Sequence, residues 1–202
     1  MPDATPTPTN APPRLAVFAS GGGRTFGNLH DRIRAGALRA EIVVLVASSH
    51  CGALAKASER GVPSEVHPGE IPADRLASIL APYRPDYLVL AGYLKKLHIP
   101  RGFEGRVVNI HPALLPRHGG PGMYGRRVHE AVLAAGDTES GCTVHLCDDE
   151  YDRGEIIVQR RCPVLADDTP DTLAARVFAE ECEAYPAALT MLFENRRPPS
   201  GV

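Results

Sequence analysis

The sequence of 202 residues has no tryptophan, and aromatic residues make up only 5% of it. It has no uninterrupted apolar stretch of about 18 residues, the length that a membrane-spanning helix requires. Neither charge dominates, because 22 Lys and Arg face 24 Asp and Glu, for a formal net charge of −2. A nucleic-acid carrier usually has a basic excess. We therefore expect neither a membrane nor a nucleic acid as a partner.

Cysteines are few, odd in number and contain no C-x-x-C pair. They are Cys51, Cys142, Cys147, Cys162 and Cys182. This usage predicts reduced thiols in a cytoplasmic protein rather than a disulfide framework. No set of His, Cys and carboxylate residues has the spacing of zinc ligands, so we expect no metal site.

Length and composition predict one domain, because 202 residues with 44% hydrophobic content can bury one substantial core. We place that domain at residues 14–195. Residues 1–13 are rich in Pro, Thr and Ala and lack the basic start and apolar centre of a signal peptide. They are predicted to form a disordered leader, and residues 196–202 a flexible tail.

Between these ends, short aliphatic runs typical of buried parallel strands alternate with helical segments. Strands are predicted at residues 15–20, 42–48, 87–91 and 107–111, and helices at residues 28–34, 53–60, 73–83 and 126–135. A strand pair at residues 143–147 and 156–162 and a long helix at about 169–195 follow, with Pro186 expected to kink or interrupt that helix. The order predicts an α/β fold with a Rossmann-like, mostly parallel sheet, helices on both faces, and ligands at the carboxyl ends of the strands.

Two polar residues leave the strand at residues 107–111 together. Asn109 and His111 are two residues apart and so share a face, and Pro112 ends the strand because it cannot donate to the ladder. An amide that donates to a developing oxyanion and an imidazole that moves a proton suit a catalytic pair. The alternative is a core Asn and His satisfied by the backbone.

A second segment runs from Cys142 to Gly154, an alternating strand that enters an acidic loop with a glycine turn. The order Asn-x-His-Pro-x-Leu-Leu-Pro, then His-x-x-x-Asp/Glu-x-x-Asp-x-Gly, resembles the signature of the folate-dependent formyltransferases. The resemblance extends from about Leu15 to Asn195. Within that family the chain is most similar to the members that formylate glycinamide ribonucleotide in purine biosynthesis.

The resemblance implies the formyltransferase fold and three catalytic residues. Asn109 and His111 would stabilise the tetrahedral intermediate that forms when a substrate amine attacks the formyl carbon of 10-formyltetrahydrofolate. Asp152 matches the catalytic carboxylate. If Asp152 lies near His111, its charge should make the imidazole easier to protonate, subject to any opposing burial.

The first strand leads into Gly21, Gly22 and Gly23, which let backbone N–H groups approach an anion. By resemblance this loop holds the substrate phosphate. Arg24 and Thr25 replace the family's usual Ser-Asn. Arg24 is a candidate phosphate ligand. Residues 26–27 are interpreted as an insertion before the helix. The alternatives are a dinucleotide site, although G-x-G-x-x-G is incomplete, and a tight turn without a ligand.

Two residues of the last helix bear on the acceptor. By resemblance, Glu181 contacts the glycinamide end of the substrate, whereas Phe178 stands where a polar side chain usually touches the ribose. The folate side is assigned in the same way to Leu94, Lys95, Leu97, Asp148 and Asp149. For the two aspartates, a solvated turn is the alternative.

Two further histidines and a glycine-rich loop receive no catalytic role. His129 and His145 are interpreted as structural, and residues 118–127 as a mobile loop near the site.

The predicted reaction is metal-free transfer of a formyl group from 10-formyltetrahydrofolate to the amine of glycinamide ribonucleotide, by a monomer or homodimer with small-molecule partners only. The alternatives are a formyltransferase acting on another amine, such as an amino sugar nucleotide, and a dinucleotide-binding reductase or sensor. An acidic residue at the end of the second strand would favour the reductase, and residues 48–50 supply none.

Overall fold

The computed structural model describes residues 11–148 and 150–194. The predictions for residues 1–10, for the tail and for Asp149 lie outside the described residues. In the described part of the chain, no helix is both long and apolar enough to cross a membrane.

One seven-stranded sheet organises the described residues. Its strands are β1 (Arg14–Ala19), β2 (Glu41–Ala47), β3 (Ser64–Val66), β4 (Tyr87–Leu90), β5 (Val107–His111), β6 (Glu139–Leu146) and β7 (Ile156–Pro163). The helices are α1 (Arg24–Arg34), α2 (Gly52–Glu59), α3 (Ala73–Leu80), α4 (Arg126–Ala134) and α5 (Pro170–Glu194). The strand order is β3-β2-β1-β4-β5-β6-β7. The first five strands pair in parallel, and β6 and β7 continue the sheet antiparallel. The predicted mostly parallel α/β fold with a C-terminal strand pair and a long helix is confirmed.

Alternate residues of β1 enter two separate cores, which explains why this strand is apolar throughout. Leu15 and Val17 pack with residues of α1, α2, α4 and α5, whereas Ala16 and Phe18 pack with residues of α3. The sheet therefore has helices on both faces, and its strand ends carry the exposed chemistry.

Helix α1 begins four residues earlier than predicted, directly after Gly23. Phe26 is fully buried and belongs to the first turn, so the interpretation of residues 26–27 as an insertion before the helix was wrong. Gly23 has a φ of 69°, and a Cβ there would lie 2.7 Å from the Cα of Ala53. Glycine is required at this turn for both reasons.

Pro186 was predicted to kink or interrupt the last helix, and helix α5 continues through it without interruption. A proline removes the N–H that would bond the carbonyl four residues earlier. Here that carbonyl belongs to Cys182, and it accepts a hydrogen bond from Asn28 Nδ2 at 3.1 Å. A side chain of α1 thus replaces the lost backbone donor.

Candidate active site

A cavity of about 480 Å³ lies at the carboxyl ends of β1, β4 and β5. It is lined by residues 21–25, 91–95, 109–112, 120 and 122–125, with 129, 151, 152, 174, 178 and 181. This set includes the catalytic residues and the acceptor-binding residues that the sequence suggested. The fold therefore brings together segments that are far apart in the chain.

The catalytic end of this cavity is lined by Asn109, His111 and Asp152, and His145 lies beside Asn109 and Asp152. Strand β5 carries the first two, and β6 pairs antiparallel with it so that Asn109 stands opposite His145. Asn109 Nδ2 lies 3.2 Å from His145 Nε2. His145, interpreted as structural from the sequence, therefore contacts a catalytic candidate. The sequence shows only that His145 alternates with Thr143 along one strand, and the pairing of that strand with β5 comes from the structure.

The position of the proton on His145 follows from its other nitrogen. His145 Nδ1 lies 2.9 Å from the carbonyl oxygen of Leu146, which can only accept, so Nδ1 carries the proton in the neutral ring. Nε2 then accepts from the amide of Asn109, which keeps its second N–H for another acceptor.

Asp152 reaches this cluster from the loop between β6 and β7. Its Oδ2 lies 3.5 Å from His111 Nδ1, and its Oδ1 lies 3.5 Å from His145 Nε2. Oδ2 also accepts a hydrogen bond from the N–H of Gly120 at 2.9 Å. The side chains of His111 and Asp152 are only 4% and 10% exposed. A carboxylate and an imidazole are thus held together with little water between them.

Burial decides the charge of His111. Loss of solvation lowers the pKa of His111, and the nearby charge of Asp152 raises it without compensating. The expectation that Asp152 would make His111 easier to protonate holds for that pair interaction but is wrong for the net shift. Burial also opposes ionisation of Asp152. A hydrogen bond that His145 Nε2 donates when its ring is protonated, the interaction with His111 and the Gly120 N–H prevail over burial and lower the pKa of Asp152. At neutral pH the pair is a neutral imidazole beside a carboxylate.

The tautomer of His111 is set by a backbone carbonyl. His111 Nε2 lies 2.8 Å from the carbonyl oxygen of His118, so Nε2 donates and carries the proton of the neutral ring. Nδ1, which faces Asp152, is then the basic nitrogen. A proton taken up there would lie between the imidazole and the carboxylate, which favours its retention.

The acceptor end of the cavity consists of residues 21–25, Phe178 and Glu181. No side chain caps the start of helix α1, so its first backbone N–H groups have no side-chain acceptor. The guanidinium of Arg24 stacks on Phe178, with 4.2 Å from Cζ to the ring centroid. Burial raises the pKa of Glu181 to about 7, and attraction to Arg24 offsets this only in part. This end therefore carries one cation and one carboxyl that titrates near neutrality.

The residues assigned to folate lie beside the catalytic end. Leu94 and Lys95 line the large cavity, and Lys95, Leu97 and Asp148 line a neighbouring one of about 90 Å³. The two cavities share Asn109 and Asp152 as lining residues.

His129 lies on α4 and lines the large cavity, although it was interpreted as structural from the sequence. Its Nδ1 has no hydrogen-bond partner among the described residues. Burial, His111 and Arg24 all lower the pKa of His129, so it is a neutral ring at neutral pH.

The fold and this geometry define an α/β protein with a buried acid–base site at its strand ends. The family model described as formyl transferase matches residues 13–189. The chain belongs to the formyl transferase family. The resemblance drawn from the two sequence motifs is confirmed.

Individual relatives agree with this assignment. The chain is 43% identical over 193 residues to phosphoribosylglycinamide formyltransferase, chloroplastic, of Vigna unguiculata. The matched region covers 91% of this chain and 62% of that relative. Thus the chain spans less than two thirds of that protein's length. Among solved structures, glycinamide ribonucleotide transformylase 1 of Symbiobacterium toebii has a TM-score of 0.83 and 31% identity, covering 93% of this chain and 91% of that one. Phosphoribosylglycinamide formyltransferase of Brucella melitensis has a TM-score of 0.80 and 36% identity, and the match covers 94% of this chain and 100% of that one.

Proposed function

We propose that the protein transfers the formyl group of 10-formyltetrahydrofolate to the amine of glycinamide ribonucleotide. The observation that carries this proposal is the approach of Asp152 to His111 beside Asn109, at the wall of one cavity. The names of the relatives at comparable length support the choice of acceptor.

In the proposed reaction, the amine nitrogen attacks the formyl carbon and a tetrahedral intermediate with an oxyanion forms. The free N–H of Asn109 donates to that oxyanion. The amine loses a proton, N10 of the folate gains one, and the bond between the formyl carbon and N10 breaks. His111 Nδ1 carries the proton between these positions, and Asp152 stabilises the imidazolium while it exists. The products are the formylated amine and tetrahydrofolate.

At the acceptor end, the proposal gives the phosphate to residues 21–23 and Arg24, and the glycinamide end to Glu181. Free N–H groups at the start of α1 and a guanidinium suit a dianion. The folate would lie against Leu94, Lys95 and Leu97. These assignments follow the family resemblance and the common cavity.

The test is release of tetrahydrofolate by the wild-type protein from 10-formyltetrahydrofolate, with and without glycinamide ribonucleotide. We expect release that depends on the ribonucleotide and stops when it is exhausted. Glycinamide that lacks the ribose phosphate is the matched control. Equal turnover with both amines would contradict the acceptor assignment, because the glycine loop would then contribute nothing to the transition state.

A second acceptor class is favoured by one observation. Phe178 is occupied by Arg24, so this end of the cavity presents a stacked cation in place of a polar ribose contact. An amino sugar nucleotide, which also carries phosphate, would suit a guanidinium equally well. Preferential turnover of such an amine in the same assay would select this alternative and leave the proposed chemistry intact.

The proposal also retains the cytoplasmic location and the monomer or homodimer expected from the sequence. The described cysteines are all free, which agrees with a reducing compartment. The Vigna relative is named as chloroplastic. Fractionation of cells and analytical ultracentrifugation test the two predictions separately.

A further inference from the structure

One short loop contacts both members of the catalytic pair through its backbone. The carbonyl of His118 accepts from His111 Nε2 at 2.8 Å, and two residues later the N–H of Gly120 donates to Asp152 Oδ2 at 2.9 Å. Between them, a Cβ on Gly119 would lie 2.4 Å from Leu115 Cδ2 and 3.3 Å from Asp152 Cβ. Residues 118–120, named here the clamp loop, are therefore packed directly against the catalytic carboxylate.

The clamp loop is anchored on its far side by a hydrogen bond between two side chains. His118 Nε2 lies 2.7 Å from Asp137 Oδ2, and Asp137 follows the end of α4. The Asp137 side chain is only 8% exposed, and its other oxygen accepts from Arg117. Both His118 and Asp137 line a separate cavity of about 410 Å³ and not the one that holds the catalytic residues. Neither side chain is placed to touch a substrate in the catalytic cavity.

The backbone of His118 shows why an anchor is needed. Its φ is 54°, in the left-handed region, which costs free energy for any residue other than glycine. A strained conformation persists only where the surroundings hold it. The hydrogen bond with His118 is the main cause that lowers the pKa of Asp137, and the hydrogen bond with Arg117 lowers it further. Asp137 is therefore a carboxylate at neutral pH.

We propose that His118 and Asp137 are positioning residues that fix the tautomer and orientation of His111 and the place of Asp152. The inference rests on the proposed roles of His111 and Asp152. The ring of His118, held by Asp137, aims the His118 carbonyl at His111 Nε2. That carbonyl competes with Asp152, which lies beside Nδ1 and would otherwise attract the proton to that nitrogen. The anchor thus keeps Nδ1 unprotonated and basic in the resting protein.

The first measurement is the tautomer of His111, read from the ring nitrogen chemical shifts of ¹⁵N-labelled protein. In the wild type, above the pKa of His111, we expect the proton on Nε2. In His118→Gly, which accepts the positive φ but has no ring, we expect a shift toward the Nδ1 tautomer. An unchanged tautomer in a folded His118→Gly protein would overturn the proposal.

The second measurement is formyl transfer by the variants. Small misplacement of a catalytic group costs up to about a hundredfold, so we expect kcat in His118→Gly and Asp137→Ala to fall between about tenfold and a hundredfold, with KM little changed. Asp137→Asn keeps an acceptor for His118 and should restore most of the loss. Arg117→Ala removes the exposed partner of the same carboxylate and is the matched control, with activity near that of the wild type.

The two readouts separate failure of this inference from failure of the proposed function. If the wild type transfers no formyl group to any amine, the proposed function is wrong, whereas the tautomer of His111 still tests the anchor. Wild-type kcat in both His118→Gly and Asp137→Ala would overturn the anchor while the proposed function stands. We expect kcat of the double variant His118→Gly/Asp137→Ala to be no lower than that of the slower single variant, because the two residues form one unit.

Discussion

The catalytic end and the acceptor end of the cavity differ in how their polar groups are held. At the catalytic end, His111 has two polar partners, and His145 and Asp152 have three each. At the acceptor end, Arg24 stacks on an aromatic ring, and Glu181 has a pKa raised to about 7 because Arg24 only partly offsets its burial.

The difference separates chemistry from selection. A fully paired, buried network has one arrangement, and removing one member leaves the others with unmet partners. At the acceptor end, the single cation Arg24 only partly stabilises the charge of Glu181. The polar groups there find their remaining partners only when a ligand of complementary charge binds. We therefore expect substitutions at the catalytic end to change kcat and substitutions at the acceptor end to change KM.

The largest effect should follow from Asn109→Ala. This change removes the amide that donates to the oxyanion, and loss of one such donor costs about a hundredfold to a thousandfold in kcat. Steady-state kinetics at saturating folate and ribonucleotide measures it. A fall in affinity with unchanged kcat would place Asn109 in substrate binding instead.

The double variant Asn109→Ala/Asp152→Asn sharpens this result. Because both residues serve one intermediate, the double variant should lose less than the product of the two single losses. Strictly multiplicative losses would show that the two side chains act independently and would break the description of the catalytic end as one unit.

A smaller effect is expected from Arg24→Ala at the acceptor end. Loss of a charged hydrogen bond to phosphate costs about tenfold or more in affinity, so KM for the ribonucleotide should rise while KM for the folate stays nearly constant. Arg34→Ala, the same substitution at the other end of α1, is the matched control. If Arg24→Ala and Arg34→Ala gave the same KM, Arg24 would have no part in acceptor binding.

The smallest effect concerns stability and comes from Glu181→Gln. A carboxyl whose pKa rises from 4.5 to about 7 on folding destabilises the fold when it is charged. The penalty is absent below the unfolded pKa and complete above the folded one, so it grows as the pH rises between them. We expect the variant to be more stable than the wild type at about pH 8, by on the order of 1 kcal/mol, and equal at about pH 4.

Chemical denaturation at the two pH values measures this difference. The same gain at both would mean that the charge of Glu181 is not the cause, and that the substitution improves packing. A loss at about pH 8 would show that ionised Glu181 is stabilised in the free protein.

The bounds of a strand could be predicted from the sequence where a local feature marks its end. The bounds of β5 were predicted correctly, because an apolar run ends at Pro112, which cannot extend a ladder. Strand β3 was missed because it has only three residues and no buried one. Strand β6 begins at Glu139, earlier than predicted, because its pairing with β7 overrides the turn preference of Ser140 and Gly141.

What depends on contacts between distant segments could not be predicted. The proximity of Asp152 to His111, the antiparallel register that places His145 against Asn109, and the stacking of Arg24 on Phe178 all arise from tertiary packing. The net charge of His111 also belongs here, since burial outweighs the nearby carboxylate.

The most direct test of the central claim is kcat of Asp152→Asn beside the wild type, with 10-formyltetrahydrofolate and glycinamide ribonucleotide both saturating. The substitution removes the charge at nearly constant volume, and circular dichroism checks that the fold is retained. We predict a fall of at least about a hundredfold, the scale for disabling a positioned acid–base group. Turnover equal to that of the wild type in the folded variant would contradict the account.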